Sequence, residues 1–295
     1  MIFSIDVEDW SQSVLNRSNP VSDRVYANTM HVLDILSANN TKATFFTLAN
    51  VAEKFPALIH RMVKEGHEVA SHGSSHKNID AMAKAQMHQD IEHSVKTLED
   101  IGGEKVIGFR APNFSINEDV FEHFCEALAA QELRYDSSLF SIPVRKYKIT
   151  KKYPLNTFKK FGIDEHYLTH INVAGQDFPF FGGGYFRLFP YAMTKYFHHQ
   201  YDKNAVFYMH PYEVDTGELA EIKKRYTDIP AKWLITQFVR RGAVPSKLGR
   251  LLTDFEFSSF KNTYYAEFIS KNKQSNAKTS SGTSCTINGS LMPAA

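Results

Sequence analysis

Cysteine is nearly missing from this chain: Cys125 and Cys285 are the two in 295 residues. Cys125 falls in an apolar helical pattern and Cys285 in a polar stretch, so a disulfide framework is not expected and a reducing compartment fits. Long apolar runs are missing too. None approaches the ~18–20 residues that a membrane-crossing helix needs. Nor is there an excess of one charge: 34 Lys and Arg face 32 Asp and Glu, a formal +2. That balance argues against nucleic acid or an anionic membrane as partner. The opening "MIFSIDVED" has no basic region, and its apolar run is too short for a signal peptide. The expectation is a soluble, cytoplasmic protein. With 43% hydrophobic residues, the chain can bury one large core or two small ones without disulfides or structural metal.

What is present is an alternation of two periods. "MIFSID", "KATFFTL", "HEVASH", "KVIGFRAP", "LRYDSSLF" and "AVFYMHP" are short apolar runs that read as buried strands. Between them lie helical stripes. Val25, Thr29, Val32, Leu33 and Leu36 make one; Phe55, Leu58, Ile59, Met62 and Val63 make another, closed by Gly66; Ile91, Val95 and Leu98 make a third, stopped by Gly102-Gly103. Asn117 stands where it could cap a fourth, which carries Val120, Phe121, Phe124 and Leu128. A helix around Trp233–Val239 is expected after Pro230. Strand and helix alternating in this way predict an α/β fold with a mainly parallel sheet. Residues 271–295 are rich in Ser, Thr and Asn and have no period, which predicts a disordered tail beyond a domain of residues 1–270.

The chemistry-bearing residues gather at the ends of the predicted strands: Asp6, Glu8, His72, His76, Arg110, Asp136 and His210. An α/β fold builds its site at that edge, whether its sheet is closed or open. In "SHGSSH" the H-x-x-x-H spacing puts two imidazoles on one side of a turn, as a single cation requires. One acid of "IDVED" can complete a three-ligand set. A second acid, not a ligand, is then free to act as base on a metal-bound water, with Arg110 pairing it and His210 protonating the leaving group. Taken singly, each has a plain alternative: solvated histidines, a surface ion pair, a turn-capping Asp136. "GGGYFRLFP" reads either as a tight loop or as a rim where Tyr185, Phe186 or Arg187 meets substrate. Trp10 and Tyr212 are candidate stacking platforms.

The order "SIDVEDW", "SHGSSH", "FRAPNFS", "YDSSLF", "FYMHP" resembles the five motifs of the polysaccharide deacetylase family, carbohydrate esterase family 4, with its NodB-homology domain. "DVEDW" together with "GGGYFRLFP" is similar to its exopolysaccharide-locus branch. The resemblance spans most of residues 1–270. It implies a distorted (β/α) barrel and metal-dependent hydrolysis of N-acetyl groups on a saccharide. By the same likeness Asp6 matches the base, His72 and His76 the metal ligands, and Arg110 the residue orienting the base. His210 matches the general acid and Asp136 the acid that tunes it. The family motif has adjacent aspartates where Val7 intervenes here, so Glu8 is taken as the metal carboxylate, with Asp9 the fallback. Asn113 replaces the usual aromatic residue, and its N–H is a candidate oxyanion donor. The implied cofactor is one divalent ion, zinc first, with other transition metals open.

Three other functions share parts of this pattern. They are an amidase for small cyclic amides or imides, a non-haem iron oxygenase built on two histidines and a carboxylate, and a non-catalytic carbohydrate-binding protein.

Overall fold

Ile2–Val7 (β1) is buried at every position, as a strand must be when it lies inside a parallel sheet covered on both faces. In the computed structural model, which describes residues 1–140, 155–201, 205–226, 229 and 231–266, five strands follow in that sheet. They are Thr44–Thr47 (β2), Glu68–Ser71 (β3), Gly108–Phe109 (β4), Tyr135–Asp136 (β5) and Asp164–Glu165 (β6). Ile171–Val173 (β7) and Gln176–Phe178 (β8) form a separate antiparallel hairpin, and Val206–Met209 (β9) returns to the main sheet. Its seven strands run in the order β6-β5-β4-β3-β2-β1-β9, with parallel pairing throughout. The sheet curls into a half-barrel, and among the described residues no ladder joins β6 to β9.

The helices follow the sequence stripes closely. Asp23–Ala38 starts at Ser22, whose side chain accepts from the Arg24 N–H, and it buries Val25, Thr29, Val32, Leu33 and Leu36. Pro56–Lys64 has proline in its first turn and buries Leu58, Ile59 and Met62. Lys84–Gly102 stops at Gly103, which takes φ +67°, a left-handed turn that glycine makes without steric cost. These faces pack on a core in which Phe3, Phe45, Phe46 and Phe109 are fully buried. Truncating any of those rings to alanine would cost about 3–5 kcal/mol.

Two expectations need comment. Most of "GGGYFRLFP" is neither loop nor rim but the helix Gly183–Leu188. The predicted disordered tail, 271–295, lies outside the described residues. No helix among the described residues is long and apolar enough to cross a membrane.

Candidate metal centre and its flanking acid and base

Because every strand of the main sheet is parallel, all their C-terminal ends share one edge. Glu8 follows β1, His72 follows β3, Arg110 follows β4 and His210 follows β9; Asp6 and Asp136 lie in the last turns of β1 and β5. Glu8, His72 and His76 come together there. All three are buried, and their ligand atoms lie within 4.8 Å of one another.

Glu8 Oε2 is 2.5 Å from His76 Nε2 and 3.7 Å from His72 Nε2. His72 Nδ1 is 2.8 Å from the Arg110 carbonyl oxygen. A carbonyl only accepts, so Nδ1 carries the hydrogen and Nε2 presents a lone pair towards Glu8, the usual outer support of a ligating histidine. His76 has φ +58°, a left-handed conformation that costs a β-carbon residue about 1–3 kcal/mol. That turn brings the second ring to 5.6 Å from the first. Burial alone would raise the Glu8 pKa, but the neighbouring His76, His72 and His210 imidazoles hold it well below the usual range. Glu8 Oε2 is buried yet makes no well-aligned hydrogen bond. One anionic oxygen and two imidazole nitrogens, converging in a buried place, fit a zinc-type divalent cation. Asp9 does not join them. Its carboxylate accepts from the backbone N–H groups of Ser11 and Ser22 and so folds the chain after β1.

Arg110 ties this cluster to the candidate base. Its Nη1 donates to Asp6 Oδ1 at 2.7 Å and to Ser4 Oγ at 3.0 Å; Nε and Nη2 reach the Ser137 carbonyl and hydroxyl oxygens. The guanidinium is fully buried and lies 4.1 Å from the centre of the Phe46 ring. Removing it would strand the Asp6 charge in the interior, a loss of about 3–5 kcal/mol. One residue thus fixes both Asp6, through its side chain, and His72, through its carbonyl.

His210 stands across the cluster, with Nε2 3.5 Å from Glu8 Oε1. Its side chain keeps 21% exposure while that of Glu8 keeps 4%, so the imidazole is the group a substrate reaches first. The carboxylate on its Nδ1 is Glu213, at 3.1 Å. Burial opposes the charged ring, but the Glu213 hydrogen bond and the charges of Glu8, Glu213 and Asp6 outweigh it and raise the pKa to about 9. Asp136, expected in this role, points elsewhere. It accepts from the N–H and hydroxyl of Ser138 and sits across from Glu165 in the β5–β6 ladder. The only trace of Glu213 in the sequence is H-x-x-E, a spacing that reads as a turn cap.

The expected sugar contacts fare differently. Trp10 is fully buried, with its indole N–H on Gln237 Oε1 and its ring against Trp233 and Phe238. It is a core residue, because the turn after Glu8 swings it inward. Tyr212 is also buried and lies flat on His210. Tyr185 packs with Phe180 and Phe189 beside Met1 and Ala205, near the start of β1 and β9 and thus at the opposite edge of the sheet. Phe186 and Arg187 are buried. Asn113 remains at the exposed rim just past β4, in left-handed backbone, with its amide on Asn78 Oδ1.

Comparison with known proteins bears on the whole edge. The polysaccharide deacetylase family model matches residues 22–135, and that for a domain of unknown function, DUF3473, matches residues 137–265. A chitooligosaccharide deacetylase from Bradyrhizobium is 40% identical over 63 residues, which is 21% of this chain and 29% of that one. A peptidoglycan-N-acetylglucosamine deacetylase from Bacillus cereus is 34% identical over 91 residues, 31% of this chain and 33% of that one. This chain therefore spans under half the length of these relatives. A solved structure from Mycobacterium smegmatis, described as a polysaccharide deacetylase, superposes with a TM-score of 0.53 at 15% identity, covering 100% of this chain and 94% of that one. This likeness supports the fold. The deacetylase match takes in β2–β4 and the start of β5, so this part of the chain is a polysaccharide deacetylase domain, followed by a second matched domain, DUF3473, that takes in β6–β9.

Proposed function

We propose that the chain is a metal-dependent hydrolase that removes N-acetyl groups from a saccharide, a polysaccharide or its precursor. One observation carries the reading: the Glu8–His72–His76 cluster lies between a carboxylate held by Arg110 and an imidazole held by a second carboxylate. A lone metal site would need neither flank; hydrolysis of an amide needs both, a base for water and an acid for nitrogen. Glu8, His72 and His76 would hold the cation, which supplies Lewis acidity to a water and to the acetyl carbonyl. Asp6, with Oδ1 fixed by Arg110, takes a proton from the attacking water as its oxygen bonds to the carbonyl carbon. His210 Nε2 gives a proton to the amide nitrogen as the C–N bond breaks, leaving acetate and a free amine. Asp6 then returns its proton to solvent and His210 regains one, so the balance is one water per acetyl group. The backbone N–H of Asn113 is proposed as a donor to the carbonyl oxygen.

N-Acetylglucosamine oligomers are the first substrates to try, because the relatives' names specify them. Acetate release should be seen with the zinc-loaded protein and lost after chelation, then restored by zinc. Release from small cyclic amides but not from oligosaccharides would replace this reading with the amidase one.

A further inference from the structure

We propose that Glu213 is the positioning residue for His210 and that Gly183 is the clearance its carboxylate requires. The kinetic part of this inference rests on the deacetylase reading; the structural part does not.

Glu213 is buried, and its Oε1 accepts two hydrogen bonds from one residue: the His210 backbone N–H at 3.2 Å and the ring Nδ1 at 3.1 Å. Oε1 already accepts the backbone N–H, so it meets the ring as an acceptor and Nδ1 carries a hydrogen. Nε2 is thereby left facing Glu8, on the side of the metal cluster. The ring's face is held as well. Tyr212 lies on it with centroids 4.7 Å apart and planes 10° apart. The Arg241 guanidinium lies 5.3 Å from the Tyr212 ring centre and is itself fixed by Glu218 at 2.6 Å. One edge bond and one stacked face leave the imidazole little rotational freedom.

The glycines of "GGGYFRLFP" make the arrangement possible. A β-carbon on Gly183 would fall 2.1 Å from Glu213 Oε1 and 2.4 Å from Oε2, well inside any real contact. Side chain and carboxylate cannot share that space. Gly182 likewise lets the segment lie against the Tyr208 ring, 2.7 Å from where its β-carbon would be. The helix start is therefore shaped around the acid on His210, from a part of the sequence about thirty residues earlier.

A competing explanation is that Glu213 merely closes the turn Pro211–Val214 as a capping residue. Kinetics and spectroscopy on the full chain separate the two. For Glu213→Ala, kcat should fall by about 10²–10⁴-fold, the range seen when an orienting carboxylate is removed from a catalytic histidine. KM should move less than about twofold and metal content should be unchanged. In a His210→Ala background the same change should cost no further activity. Gly183→Ala should lower kcat in the same direction, and Glu213→Asp should recover part of the loss. In ¹⁵N-histidine spectra of the protein recorded above pH 9, where the ring is neutral, His210 should carry its hydrogen on Nδ1, and Glu213→Ala should move it towards Nε2. An equal loss of kcat with and without His210, or a tautomer that ignores Glu213, would overturn the proposal. If the unmodified protein releases no acetate but the tautomer shifts as stated, the function assigned above is wrong and the positioning role stands.

Discussion

At the end of β9 a buried carboxylate meets an imidazole; at the end of β5 one meets another carboxylate. The first pair, Glu213 with His210, is a charge and its partner. Asp136 and Glu165 face each other across β5 and β6; Asp136 is buried and Glu165 half-buried. Burial raises Asp136 to about 6 against the hydrogen bonds that favour its anion. In Glu165 burial and the Asp136 charge act together and raise it well above its ordinary value. Glu165 is therefore the protonated member near neutrality, since two adjacent buried anions are too costly. Its Oε1 accepts from the Leu139 N–H, and Asp136 grips Ser138. Between these anchors lies Ser137, which receives Arg110 on both its oxygens. The β5 pair braces the arginine that holds the proposed base, Asp6; the β9 pair holds the proposed acid, His210. Asp136 ends β5 and Glu213 lies in the turn just past β9 at the same edge, so what each side chain faces, rather than its place in a motif, decides its work.

The largest way to sharpen this comparison is to change one member of each pair. His210→Ala should lower kcat by at least about 10³-fold, at the scale of lost general-acid catalysis. Asp136→Asn should lower it by less than about 10-fold, because Asp136 acts on the base only through Ser138, Ser137 and Arg110. Comparable losses would merge the two pairs and restore Asp136 to the role the motif order implied.

A smaller effect is expected from Glu165→Gln. The glutamine matches a protonated acid in shape and lack of charge, so kcat should stay within about twofold and unfolding free energy within about 1 kcal/mol. A loss of several kcal/mol in denaturant unfolding would show that Glu165 is ionised in the folded protein.

The smallest effect is on pH. Asp136 has a folded pKa raised from its ordinary 3.8 to about 6. Its contribution to stability is thus fully present below about 3.8 and is lost as pH rises through about 6. Melting temperatures from pH 4 to 7 should show this downward contribution in the unmodified protein relative to Asp136→Asn, which cannot titrate. A difference curve that rises over that window would reverse the sign.

How much of this was legible beforehand follows from the range of each signal. The helix Asp23–Ala38 was readable because its buried stripe repeats along one element. His72 and His76 were readable because four residues fix both their spacing and their side. Glu8 and Asp9 were not separable in "DVED", since the choice depends on Ser22, whose N–H draws Asp9 away. Trp10 looked like a sugar platform because a tryptophan beside acids suggests a rim. Its burial depends on Trp233, Gln237 and Phe238, more than two hundred residues later. Gly183 read as part of a loop for a similar reason: the carboxylate it must clear belongs to another element.

The central claim is that Glu8, His72 and His76 form a cation site separate from the base. Zinc content after exhaustive dialysis, measured by elemental analysis on variants shown to be folded, tests it most directly. About one zinc per chain should remain in the unmodified protein, in Asp6→Asn and in Asp9→Asn, while Glu8→Gln and His76→Ala should retain little, as follows from a three-ligand site. Full retention in Glu8→Gln with loss in Asp9→Asn would contradict the account and move the ligand one residue along the chain.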